Sequence, residues 1–291
     1  MHKFQLRQPH LKFNLFMKQW IIAIGLFFSS VPSPGLALQL ILPENAYQGD
    51  MFVGRVLPLT TVSVGGTTHH VGPQGYFVIG VPRQQKTDLL VLAQVGNKKT
   101  LKIIRILAYQ WQIQRIDGLP ERYINPPPEG LKQIKEDSKK VRTIRQAKPY
   151  PVPLFLENGF IKPVQGSITG IFGSHRIFNS QPHSPHWGVD IAAPMNAPVC
   201  SPADGIVKLV AKDMYLMGNT LIIDHGLGVQ SIFIHLNSIE TKESEFVKQG
   251  ATIARVGKTG RATGPHLHWG ISVGTIPVDP VRILKKSVFI P

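Results

Sequence analysis

A chain of 291 residues with 43% hydrophobic content is long enough for two modest domains with real cores. Its formal net charge of +15 suits anionic partners; no nucleic-acid-binding motif accompanies it, which sets nucleic acid aside and leaves an anionic cell envelope. The single cysteine, Cys200, excludes an internal disulfide, and 27 glycines with 24 prolines favour many turns and an all-β bias.

Residues 1–20 are basic and carry no acid. Ile21 to Phe28 is apolar, and Ser29 to Ala37 is rich in small residues and proline. This predicts a secretory signal over 1–37, cleaved after Ala37, with no stable membrane span left behind. An apolar run this short does not span a bilayer comfortably; the alternative is an uncleaved anchor.

From 38 to 108, runs rich in Val, Ile, Leu and Thr predict short strands at Met51–Val56, Thr61–Val64, Tyr76–Val81, Leu89–Val95 and Leu101–Ile106. Glycine-containing turns separate them, which predicts a small β-sandwich. His69-His70 reads as a bland pair, because adjacent strand residues face opposite ways.

Residues 109–159 read as a linker. Tyr109 to Pro128 is a connector stiffened by Pro126-Pro127-Pro128. Glu129 to Gln146 places Leu131, Ile134, Val141 and Ile144 at partial helical spacing, which predicts one amphipathic helix. Pro149, Pro151 and Pro153 end it.

From 160 to 291 the pattern is β again. Leu221–Ile223 and Gln230–Ile234 flank Asp224-His225-Gly226-Leu227-Gly228, a hairpin signal. Cys200 lies in a short apolar run and reads as a small buried strand residue. Trp187 and Trp269 read as packing residues, and His225 as structural.

The chemistry concentrates here, since seven of the eleven histidines fall between His175 and His268. In Pro265-His266-Leu267-His268-Trp269-Gly270, residues i and i+2 of a strand share a face, so two imidazoles point at one place. Upstream, His186-Trp187-Gly188-Val189-Asp190 holds a histidine and a carboxylate four residues apart. Zinc takes imidazole nitrogen and carboxylate oxygen, and a catalytic site keeps three protein ligands and one position for water. His186, Asp190 and one of His266 and His268 make such a set; the spare histidine is free for proton chemistry.

Several motifs stand in a fixed order: Phe172-Gly173-Ser174-His175-Arg176, His186-x-x-x-Asp190, Asp190-Ile191-Ala192-Ala193-Pro194, Pro202-Ala203-Asp204-Gly205, Gly218-Asn219-x-Leu221-Ile222-Ile223-Asp224-His225-Gly226, Phe233-Ile234-His235-Leu236 and Gly264-Pro265-His266-Leu267-His268. Together they resemble the LytM/lysostaphin-type zinc metallopeptidases, peptidase family M23, over roughly Phe160 to Leu284. The resemblance implies a mainly β protein: an N-terminal β-sandwich, a helical linker and a C-terminal antiparallel β-sheet metallopeptidase domain with a groove. It implies His186, Asp190 and His268 as zinc ligands, with His235 and His266 as the catalytic histidines. Arg176 and Asn219 are the positions expected at the substrate.

The implied function is a secreted, periplasmic zinc endopeptidase of the Gram-negative envelope. It would cleave peptidoglycan cross-links between D-alanine and diaminopimelate. The alternative is a non-catalytic regulator whose protein partner is another wall hydrolase. Relatives of that kind typically lack zinc ligands, whereas every ligand position is filled here.

Overall fold

Alternating burial along short strands builds the first part of the chain. The computed structural model describes residues 37–284; the expected signal segment falls, except for Ala37, outside them. The strands are β1 (Gln39–Ile41), β2 (Asn45–Tyr47), β3 (Met51–Leu57), β4 (Thr61–Val64), β5 (Thr67–His69), β6 (Tyr76–Gly80), β7 (Leu89–Val95) and β8 (Lys98–Leu107). They form two sheets, ordered β1-β3-β6 and β2-β8-β7-β4-β5. Phe52, Val56, Phe77 and Ile79 of the first sheet meet Val62, Val91, Ala93 and Ile104 of the second in one core. This is the predicted sandwich.

The smaller sheet is buried on its other face too. Met51, Val53 and Val78 alternate with the sandwich residues and join the core of the C-terminal part. That core also holds Val273 and Val278. Arg282 pairs with Asp50, and Asp279 N donates to Gly49 O at 2.8 Å. The β1-β3-β6 sheet is therefore a wall shared by two cores, where the sequence reading divides the chain into separate domains.

The connector after Leu107 is more than a spacer. It contains β9 (Ile113–Ile116) and a short helix, α1 (Glu121–Ile124). The predicted helix runs over α2 (Pro128–Gln146), with Pro128 at its first turn, where a missing N–H costs nothing. Val141 and Ile144 of α2 pack on Met214, Ile222 and Ile232. Asp137, buried in the same contact, accepts a hydrogen bond from Tyr215 N at 2.8 Å.

The rest is β10 (Ser167–Gly170), β11 (His175–Phe178), β12 (Gln181–Pro182), β13 (Val189–Ala192), β14 (Pro198–Cys200), β15 (Gly205–Met214), β16 (Gly218–Asp224), β17 (Val229–Ile239), β18 (Phe246–Val247), β19 (Thr252–Val256), β20 (His266–Val273), β21 (Ile276–Val278) and α3 (Pro280–Ile283). The main sheet runs β10-β13-β20-β17-β16-β15-β18, with antiparallel pairing throughout. β9 pairs in parallel with β11 in a separate small sheet. Leu221, Ile223, Phe233, Leu267 and Trp269 face the core, while Ile222, Ile232 and Ile234 face α2. This two-faced burial is the period of a strand with both sides covered. Cys200 is half-buried rather than buried, its thiol 3.3 Å from Pro163 O.

Candidate metal centre

Three neighbouring strands assemble the site. β13 and β20 pair so that Asp190 lies opposite His268 and Ala192 opposite His266. On the other side of β20, Ile234 of β17 lies opposite His268. His186 enters from the segment before β13 and is 3% exposed.

The donor atoms converge. His186 Nε2 is 2.8 Å from His268 Nδ1. Asp190 Oδ1 is 3.0 Å from the former and 2.8 Å from the latter. His186 Nδ1 donates to Ile171 O at 3.0 Å, which makes Nε2 the lone-pair nitrogen a metal requires. Burial, against partly compensating contacts with Asp190, pushes the His186 imidazole down to about 4. Burial lowers His268 as well. The Asp190 carboxyl would rise on burial, but its close contacts with the His186 and His268 imidazoles hold it well below its usual range. The set is thus two neutral imidazoles and a carboxylate, the protonation states of metal ligands. A tetrahedral zinc with bonds near 2.1 Å sets its ligand atoms about 3.4 Å apart, so a spread of roughly half an ångström admits the ion. The residues fit the group.

Two glycines make room for this convergence. A Cβ on Gly188 would lie 2.6 Å from His268 Nε2, and one on Gly170 would lie 2.4 Å from Asp190 Oδ2. The glycine between His186 and Asp190 is therefore a steric requirement.

His266 and His235 stand beside the donor set. His266 shares the face of His268 and donates from Nδ1 to Gly264 O at 2.9 Å. Strand alternation alone would turn His235 into the core with Phe233. Instead its φ is +64°, where β17 breaks register with β16. This irregularity re-aims the ring, whose centroid is 4.8 Å from that of His266. His235 Nδ1 donates to Thr259 O at 2.8 Å, and both rings keep Nε2 as an acceptor. Burial, reinforced by His266 and His268, pushes His235 down to about 3.

The remaining expected residues have different surroundings. Arg176 donates to Asp190 Oδ2, so it buttresses the carboxylate of the donor set. Asn219 uses its amide on the backbone, donating to Leu236 O and Asn237 O at 3.0 and 3.2 Å and accepting from Asp213 N at 3.2 Å. Its side chain ties a turn to β17 rather than lining the groove. His225 is structural: Nδ1 donates to Asp204 O and Nε2 accepts from Ser231 Oγ, each at 2.8 Å. Trp269 is fully buried, whereas Trp187 is 36% exposed and borders the cavity at His186 and His268.

Two cavities flank the centre. One, of about 230 Å³, lies between the donor set and α2. The other, of about 290 Å³, lies beside β20. Arg176, Phe178, His235 and Arg261 line both, so the two cavities adjoin along these side chains, beside the histidines. Phe178 and Arg261 lie close to the motifs in sequence, but neither falls at a motif position, so nothing local marked them for this role.

Residues 184–280 match the profile of peptidase family M23. The chain carries an M23 peptidase domain. Over 98 residues it is 45% identical to the peptidoglycan DD-endopeptidase ShyB of Vibrio cholerae, covering 34% of this chain and 23% of ShyB. Over 99 residues it is 40% identical to the DD-carboxypeptidase/endopeptidase Mpg of Neisseria meningitidis, covering 34% of this chain and 22% of Mpg. The matched stretch thus spans less than a quarter of these relatives' length. The crystal structure of a putative peptidase M23 from Pseudomonas aeruginosa superposes with a TM-score of 0.63 at 26% identity, covering 84% of this chain and 96% of that one. That coverage extends well beyond the M23 domain into the N-terminal sheets.

Proposed function

We propose that this protein is a zinc metalloendopeptidase that hydrolyses the peptide cross-links of peptidoglycan, with the bond between D-alanine and diaminopimelate as its target. One observation carries the reading: His186, Asp190 and His268 converge, and two further histidines stand beside them at two adjoining cavities. The names of the relatives, DD-endopeptidases of peptidoglycan, support the substrate class.

His186 Nε2, Asp190 Oδ1 and His268 Nδ1 would hold the ion. Zinc supplies Lewis acidity toward a carbonyl and makes a bound water acidic near neutral pH. The chain's own residues do the proton work. His235 and His266 each present an unprotonated Nε2, with the opposite nitrogen tied to a carbonyl. Either ring can take the proton of the attacking water, and a ring so protonated can donate to the developing oxyanion or to the leaving amine. Arg176 holds Asp190 in place throughout.

The two additional histidines separate this reading from a non-catalytic regulator of another wall hydrolase, which has no use for them. Among the described residues no helix is long and apolar enough to cross a membrane. We read residues 1–37 as an export signal and the periplasm as the working compartment. The test is mass spectrometry of purified cross-linked muropeptides after incubation with the zinc-loaded protein. Dimers should convert to monomers, and chelation should stop the conversion. Intact dimers in the presence of zinc would sink the proposal.

A further inference from the structure

The groove contains a cation with no partner. The loop 257–265, between β19 and β20, is pinned at several points. Arg261 N donates to Leu216 O at 2.9 Å. Thr259 Oγ1 donates to Leu236 O at 2.9 Å and accepts from Asn219 N at 3.0 Å. The carbonyl of the same Thr259 orients His235. Arg261 is therefore presented by the fixed loop that positions a catalytic histidine, two residues further along.

Its guanidinium stacks 4.8 Å from the centre of the Phe178 ring, which is 3% exposed. Arg176 approaches that ring at 5.7 Å, but it is engaged with Asp190. Among the described residues no carboxylate pairs with Arg261, and both burial and the neighbouring Arg176 work against its charge. Two acids border the groove and both are occupied. Asp137 holds Tyr215 N, and Asp190 belongs to the donor set. The contact with Phe178 leaves the N–H groups of Arg261 without a carboxylate partner among the described residues. A partly buried guanidinium that opens onto a cavity can take its counter-charge from a ligand, and a planar fork matches a carboxylate in two parallel hydrogen bonds.

Arg261 and His235 line the same two cavities, so a carboxylate close to the reacting bond is the kind of group within its reach. In a cross-link between D-alanine and diaminopimelate, the carbon bearing the acylated nitrogen also bears a free carboxylate. That group sits two bonds from the scissile nitrogen. We propose that Arg261 is a specificity-determining residue that takes this carboxylate, on the leaving-amine side of the scissile bond. The assignment rests on the peptidoglycan reading above.

The test uses the full chain, the product peptide ending in diaminopimelate, and the same peptide with that carboxylate amidated. Calorimetric titration should show the wild type binding the acid roughly ten- to a hundredfold tighter than the amide, the scale of a charge-assisted hydrogen bond. Arg261→Gln should bind both alike, and Arg261→Lys should keep part of the preference, with zinc content and Tm matching the wild type in each. Turnover of free and amidated cross-linked dimers should show the same preference, chiefly in KM. Equal binding of acid and amide by the wild type, or a preference that survives in Arg261→Gln, would overturn the assignment. If dimers are cleaved with no such preference, the endopeptidase reading stands and the Arg261 assignment falls. If wild type neither cleaves dimers nor binds the product peptide, both fall.

Discussion

Gly188→Ala tests the geometry of the donor set without removing a ligand. The new Cβ would lie 2.6 Å from His268 Nε2 and 2.6 Å from Trp269 O. Ordinary contact begins near 3.4 Å, so the imidazole or its strand must recede by about 0.8 Å. Trp269 is fully buried, and β20 is paired on both sides, so the backbone has little room to yield. Metal–ligand distances tolerate only about 0.2 Å. The displacement therefore falls on His268, and zinc affinity should drop by roughly ten- to a hundredfold, as when a residue supporting a metal ligand is lost. Competition titration against a chromophoric chelator measures this directly, with denaturant unfolding of the metal-free protein as the control for general strain. Wild-type zinc affinity in a folded Gly188→Ala variant would refute the steric account of this glycine.

The mature protein should carry about one zinc, by the three-ligand argument, and Asp190→Ala and His268→Ala should each lose most of it together with activity. His266→Ala and His235→Ala should keep the metal while turnover falls roughly a hundredfold or more, the scale of a lost acid-base group or oxyanion donor; full activity in His235→Ala would make that residue structural. His225 supplies a pH signature. Burial lowers its folded-state value from 6.5 to about 4, so the unfolded chain binds the extra proton. Its contribution is complete above pH 6.5 and is lost as pH falls toward 4, by up to about 3 kcal/mol. Urea unfolding at pH 7 and pH 4.5 should show the loss, and His225→Asn should reduce it while the buried His186, His235 and His268 supply the remainder; an unchanged slope in that variant would place the titration elsewhere.

Much of this protein was legible in its sequence because strand chemistry is local. The i, i+2 pair His266 and His268 shares a face on any strand, and His186 and Asp190 stand four residues apart as a histidine and a carboxylate suited to one ion. The apolar runs of the sandwich and the helix over 129–146 follow from periods of two and 3.6 residues. Tertiary structure decided what depends on distant pairing. β9 is four residues long with Ile113 exposed, and only its parallel neighbour β11 makes it a strand. The β1-β3-β6 sheet serves two cores because each of its faces meets a different layer, which no local pattern states. His235 points at His266 because β17 breaks register and takes a left-handed φ there, against the alternation its sequence predicts. Arg176, Asn219 and Arg261 are all polar residues near motifs. Which one buttresses a ligand, which one ties a turn and which one stands unpartnered in the groove is set by the strands and loops that fold against them from elsewhere in the chain.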